Sequence, residues 1–193
     1  EVFYDGKHYY WPRTNFPGYI KLTQTDYRRE LRRLGYRAKP REEERISEVD
    51  QELSRTNREN YVDRAGPLAG HRCGLVRDSK TGHQVLVTSE PTLIVPRKGE
   101  FPTIEAFITD LLQKQAPYLL AWLAVSLCNL YRFVDRKVIF QPAPAVALCG
   151  PRQCGKTLLI AIIGALFGRW QSCYVWLTGA TNFNSELLGS ELL

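Results

Sequence analysis

Residues 150–157 read Gly150-Pro151-Arg152-Gln153-Cys154-Gly155-Lys156-Thr157. Two glycines spaced this way before Lys and Thr make the sequence pattern of a loop that cradles a polyphosphate. Gly150 and Gly155 let the backbone curl so that its N–H groups face inward, and the first turn of the next helix adds unpaired N–H groups of its own. Lys156 brings a compact positive charge to the outer phosphates, and Thr157 offers a hydroxyl ligand to Mg²⁺. All eight residues are therefore candidate nucleotide-binding groups, with ATP and Mg²⁺ as the implied cofactors. Cys154 sits inside the loop, where a helix N-terminus activates a thiol; the plainer reading is a small residue that fits.

Such a pattern arises by chance in on the order of one chain in a hundred of this length, so the elements around it decide its worth. The loop needs a strand before it and a helix after it. The short apolar run from Ala143 to Cys149 suits the strand, and residues 158–167 suit the helix. Gly168 and the β-like run Cys173-Tyr174-Val175-Trp176-Leu177 follow. Strand, glycine loop, helix and strand form the rhythm of a parallel α/β sheet. The competing reading is a glycine turn with no ligand. Hydrolysis also needs an apolar strand ending in a carboxylate that holds Mg²⁺ and polarises water. The acids after the loop are Glu186 and Glu191, and neither ends such a strand. The catalytic residues thus stay unassigned.

The rest of the chain must position this loop. It has 193 residues, 44% of them hydrophobic, and a formal net charge of +6, figures that exclude a collagenous or wholly disordered chain. It contains no methionine, so a piece of a longer protein is expected. Five cysteines without a C-x-x-C pair fit a reducing, cytoplasmic setting better than a disulfide scaffold. His71, Cys73 and His83 lack a fourth ligand, and no structural metal is expected. No apolar leader opens the chain. Ala116 to Val134 is its most lipid-like stretch, but Pro117, Ser126, Asn129 and Arg132 favour a deeply packed helix over a membrane span.

Upstream, Asp5-Gly6 marks a hairpin between Val2-Phe3-Tyr4 and His8-Tyr9-Tyr10-Trp11. Thr23 and Asp26 form a capping-box pair that opens a helix closed by Gly35. Tyr27, Leu31 and Leu34 share one face of it; Arg28, Arg29, Arg32 and Arg33 share the other. Residues 21–39 carry seven basic side chains against two acidic ones, most of the net charge of +6. The four arginines are candidate DNA contacts, and Tyr9, Tyr10, Trp11 and Tyr19 are candidate stacking groups for single-stranded bases. The plain alternative is a solvated face beside core aromatics. A second, charged helix is predicted over about 41–57, with Ile46, Val49 and Leu53 on one face. Strands are predicted at 74–76, 84–88 and 92–95, and helices at about 103–115 and 117–133.

Several stretches together resemble the helicase region of the primase–helicase and polymerase–helicase proteins of phages and mobile elements, superfamily 3-like members of the AAA+ ATPases. These are Ala65-Gly66-Pro67-Leu68-Ala69-Gly70-His71, Val85-Leu86-Val87-Thr88, Pro91-Thr92-Leu93-Ile94-Val95-Pro96, the segment from Leu148 to Thr157, and Gly179-Ala180-Thr181-Asn182-Phe183-Asn184-Ser185-Glu186-Leu187. Gln153 stands where the family usually has Asn.

The resemblance implies an α/β fold: a truncated AAA+-like parallel sheet around the phosphate loop at the C-terminal end, preceded by a mixed α+β accessory region. It implies a basic accessory region at 1–64, a hairpin region and helical segment at 65–140, and the first part of the ATPase domain at 141–193, cut before the carboxylate strand, which the resemblance puts just beyond Leu193. It further implies a hexameric ring in the full-length protein that hydrolyses ATP and moves along DNA, single-stranded DNA above all, with no membrane partner. The competing functions are another phosphate-loop enzyme such as a nucleotide kinase, and a non-catalytic DNA-binding adaptor with a vestigial loop.

Overall fold

A computed structural model describes residues 1–42, 44–78, 81–135, 144–181 and 187–193. The fold is mixed α/β with two small three-stranded sheets. The chain divides into two compact units, one of Glu1–Leu68 with Arg72–Glu90, the other of Ala69–His71 with Pro91–Leu193. The hairpin region expected to begin at residue 65 thus falls largely in the first unit, and the helical segment shares the second unit with the phosphate loop.

In the first unit, β1 (Phe3–Tyr4), β2 (Tyr9–Pro12) and β3 (Tyr19–Leu22) form an antiparallel sheet. Asp5 makes the first turn: its Oδ1 accepts from the N–H groups of Lys7 and His8, at 2.9 and 2.6 Å. Helix α1 (Gln24–Arg33) opens with the anticipated capping box, the Thr23 Oγ1 accepting from the Asp26 N–H and donating to its carboxylate. Tyr27 and Leu31 enter the core, whereas Leu34, the residue that caps the C-terminal end of the helix, is 62% exposed. Helix α2 is Glu48–Glu59, not 41–57. Ser47 caps it through the Asp50 N–H, leaving Ile46 exposed ahead of the cap while Val49 and Leu53 are buried.

The second sheet holds β4 (Arg64–Gly66), β5 (Gly74–Arg77) and β6 (Gln84–Val87), in the order β4-β6-β5. β4 runs parallel to β6 and β5 antiparallel to it. Residues 92–95, predicted as a strand, form none; Pro91 and Pro96 flank them and remove ladder donors.

The second unit is helical. Helix α3 (Pro102–Leu112) passes through a 3₁₀ turn (Gln113–Gln115) into α4 (Ala116–Val134), with Gln113 at a left-handed φ of 49°. Helix α5 (Lys156–Phe167) packs on both, and Ile108, Leu119, Leu123, Leu159, Ile163 and Phe167 form the core. The run 102–134 is long and apolar enough to cross a membrane by length and composition, and 22% of its most apolar window is buried. The expectation of deep packing around α4 is therefore corrected: Leu119, Leu123 and Ser126 face the core, while Tyr118, Leu120 and Val125 are exposed.

Two predicted strands of this unit are also corrected. Residues 144–149 are irregular, and Ala143 lies outside the described residues. Residues Tyr174–Leu177 form a single helical turn, α6. A strand exists only where a neighbour completes its ladder, and among the described residues the pairing in this region is one parallel bridge between Trp170 and Leu192. The parallel sheet expected at the C-terminal end is not present among the described residues.

Candidate nucleotide-binding site

The loop leads directly into α5, whose N-cap is Gly155 at a left-handed φ of 99°. A side chain is disfavoured there twice over. The backbone is left-handed, and an added Cβ would lie 3.2 Å from Cε2 of Phe107 on α3. Gly150 is nearly extended, with φ 158°. The loop's other left-handed residue is Gln153, at φ 61°, a conformation for which nothing in its residue type prepared the reading.

No side chain caps α5. Among the described residues, the N–H groups of Lys156, Thr157 and Leu158 find no acceptor. Three unpaired donors at the positive end of a twelve-residue helix form an anion-attracting surface.

The Lys156 ammonium folds back over the loop. It donates to the Gly150 carbonyl oxygen at 3.0 Å and to that of Pro151, with the Cys154 Sγ 3.4 Å away. This places the charge inside the curl of the loop. The Thr157 side chain is exposed and free to serve a cation. Arg152 is exposed and makes no ion pair among the described residues.

Beside the loop lies a cavity of about 730 Å³, within the range of small-molecule sites. Gly150, Pro151, Cys154 and Lys156 of the loop line it, together with residues 146–149 before the loop and with Phe107, Asp110, Gln115 and Leu119 from the helical segment. Helices α3 and α4 thus supply walls for a site that the motif alone places only at the loop. Their spacing from the loop in sequence hid this contribution.

The acids after the loop are accounted for differently. Glu191 is committed elsewhere: its carboxylate accepts from the Arg169 guanidinium at 2.8 Å and from the Gly70 N–H at 3.3 Å. Glu186 lies outside the described residues, as do Asn182 and Asn184. Asp110 is the carboxylate that reaches the cavity lining.

The candidate DNA contacts lie on α1, in the first unit. Arg28 pairs with Asp50 at 2.7 Å, Arg29 with Asp26 at 3.2 Å, and Arg33 with Glu30 at 3.0 Å. Arg32 is exposed and has no partner among the described residues. Tyr9 and Tyr10 are buried and their hydroxyls donate to Asn57 and Asp5, which removes them as stacking groups. Trp11 and Tyr19 are half-buried.

His71 and His83 are separately engaged. The His71 ring meets Phe133 edge-on, and His83 Nδ1 lies 3.3 Å from an Asp63 oxygen.

No protein-family model matches the chain, and neither a curated protein nor a solved structure matches it.

Proposed function

We propose that this chain carries the nucleotide-binding part of an ATP-dependent DNA helicase acting in replication of a phage or mobile element. The observation that carries the reading is the joint placement of Lys156 and the uncapped start of α5 at the mouth of the cavity. Residues 150–157 bind the polyphosphate: loop and helix N–H groups donate to its oxygens, Lys156 neutralises its charge, and Thr157 holds Mg²⁺. Mg-ATP supplies the phosphoryl group whose transfer to water powers motors of the family that the sequence resembles. The DNA partner, the hexameric ring and the cytoplasmic setting rest on that resemblance and on the arginines of α1.

Calorimetric titration with Mg-ATP tests the loop. Binding that Lys156→Ala abolishes, with the far-ultraviolet spectrum unchanged, is the expected result. No binding to the unaltered chain would overturn it.

A second reading, a DNA-binding adaptor with a vestigial loop, draws on one feature: Lys156 already bonds two loop carbonyls. The same titration separates the two, since an adaptor leaves Mg-ATP unbound while retaining DNA.

A further inference from the structure

The sheet face that packs on α1 is not covered to its end. Trp11 pairs with Ile20 and Tyr9 with Leu22, so these four side chains share that face. Tyr27 and Leu31 of α1 pack against Tyr9, Trp11 and Leu22. Toward the loop that joins β2 to β3, a cavity of about 600 Å³ remains, with Trp11, Phe16, Ile20 and Leu22 in its lining and Glu30 and Arg33 of α1 beside them. Ile20 is 45% exposed and Phe16 is 71% exposed. Apolar side chains are thus presented to solvent around a concavity.

Two further features belong to this place. The first is an open strand edge, since β3 ends the order β1-β2-β3. The Arg13 N–H donates to the Gly18 carbonyl oxygen at 2.9 Å, and alternation along the ladder then turns the N–H and C=O groups of Tyr19 and Lys21 away from β2. The Tyr19 N–H donates to the Thr88 carbonyl oxygen at 3.0 Å, whereas the N–H and C=O of Lys21 have no backbone partner among the described residues. The second is charge. Residues 11–33 hold six basic side chains and two acidic ones. Glu30 is held by Arg33 at 3.0 Å and Asp26 by Arg29 at 3.2 Å, while Arg13 and Lys21 are exposed and make no ion pair among the described residues.

An occupant must offer an apolar side chain to the cavity, a main chain to Lys21 and negative charge to the rim. A nucleic-acid strand brings the charge without the main-chain amides, and Ile20 and Leu22 offer its bases no ring to stack on. An extended peptide brings all three. We infer that the cavity at the β2–β3 loop, with the open edge of β3, docks an extended acidic peptide of a partner protein that carries a large apolar side chain among its carboxylates. The inference concerns the first unit alone and does not rest on the phosphate-loop reading.

The test uses the full 193-residue chain and a set of fluorescein-labelled acidic octapeptides whose central residue is varied, read by fluorescence anisotropy, with a single-stranded oligonucleotide as the rival probe. Peptides centred on phenylalanine, tryptophan or leucine are expected to bind about tenfold more tightly than the serine peptide. Phe16→Ala and Ile20→Ser, both at exposed positions, are expected to remove that difference. Arg13→Gln is expected to weaken all the peptides alike, by a factor that shrinks as salt is raised. Lys21→Pro is expected to weaken them more than Lys21→Gln, because it also removes the outward N–H.

A set in which no apolar centre binds more tightly than serine would overturn the inference, as would peptide binding indifferent to both Phe16→Ala and Ile20→Ser. Equal effects of Lys21→Pro and Lys21→Gln would overturn docking along the strand edge. An oligonucleotide that loses affinity with Phe16→Ala while the peptides do not would overturn it in favour of a nucleic-acid base.

Discussion

Arg169 Nη2 lies 2.8 Å from Glu191 Oε1, and the Glu191 side chain is fully buried. The pair joins the end of α5 to the C-terminal segment, where backbone bonds from Glu191 to Arg169 and from Gln171 to Leu192 run alongside it. Arg169→Ala leaves a buried carboxylate without its cation, and about 3 kcal/mol of stability should be lost. Urea unfolding followed by tryptophan emission measures this. A loss below about 1 kcal/mol would mean that water reaches Glu191 and the pair is a surface contact.

Gly164 lies in the middle of α5, where glycine weakens a helix. It is explained by Trp170: a Cβ at Gly164 would come within 2.6 Å of the indole ring. Gly164→Ala should gain helix propensity and still destabilise by about 1–3 kcal/mol through overpacking. Trp170→Leu in the same background should recover part of the loss, and its failure to do so would show that the ring is not the obstacle.

Gly155→Ala should cost nucleotide binding more than stability, since it disturbs a left-handed backbone and the Phe107 contact at the start of α5. Phe107→Ala with Gly155→Ala separates the two causes. If relieving the ring restores binding, the clash dominates; if not, the backbone does. Neither variant nor the unaltered chain should turn over ATP, because Glu191 is engaged and no described residue pairs a carboxylate with Thr157. Steady phosphate release abolished by Lys156→Ala would contradict this.

Acid should destabilise the first unit in a defined window. Hydrogen bonds from the Arg37 guanidinium, then from the Arg37 backbone N–H, hold the Glu48 carboxyl down at about 2, from an ordinary value of 4.5. A carboxylate with a depressed folded value favours the folded state above its unfolded value, and this contribution is lost as pH falls toward the folded one. The stability of the unit should therefore decline from about pH 4.5 down to about pH 2. Asp26 adds to the slope, held below its usual range chiefly by the Thr23 hydroxyl. Glu48→Gln should flatten the pH profile of the urea midpoint; an unchanged profile would rule out this pair as a source.

The arginine face of α1 should prove unequal. Among the described residues Arg32 is unpaired, whereas Arg28, Arg29 and Arg33 each face a carboxylate. If α1 touches DNA, Arg32→Gln should lower the salt-dependence slope by about one, and Arg29→Gln by less. Arg28→Gln should act mainly on stability, through Asp50. Equal slopes for all variants would remove α1 from the interface.

Local chemistry was readable wherever short spacing settles it. Asp5-Gly6, the Thr23–Asp26 pair and the entry from the loop into α5 all form as the residue types require. The start of α2 carries the same signature in Ser47 and Asp50, but the charged run before it also suits a helix and drew the predicted boundary forward. Residues 144–149 and 173–177 failed for a different reason. Short apolar runs state a need for burial and leave the backbone form to whatever neighbours can pair with them. β4 escaped because three residues, one of them glycine, carry no alternation. The cavity walls escaped because amphipathic period locates a buried face without naming what it covers, so Asp110 and Gln115 could not be tied to the loop.

The inward-folded ammonium of Lys156 sets the terms on which an anion enters. Two of the ammonium's three N–H groups already donate to carbonyl oxygens, so a phosphate that takes more than one bond from it must displace main-chain oxygen. Binding through this lysine is therefore an exchange of acceptors, small in enthalpy relative to the number of contacts made. If the loop binds phosphate as proposed, it acts as an internal competitor for its own ligand: a phosphate that leaves is replaced by main-chain oxygen, and release is eased by the same atoms that opposed entry.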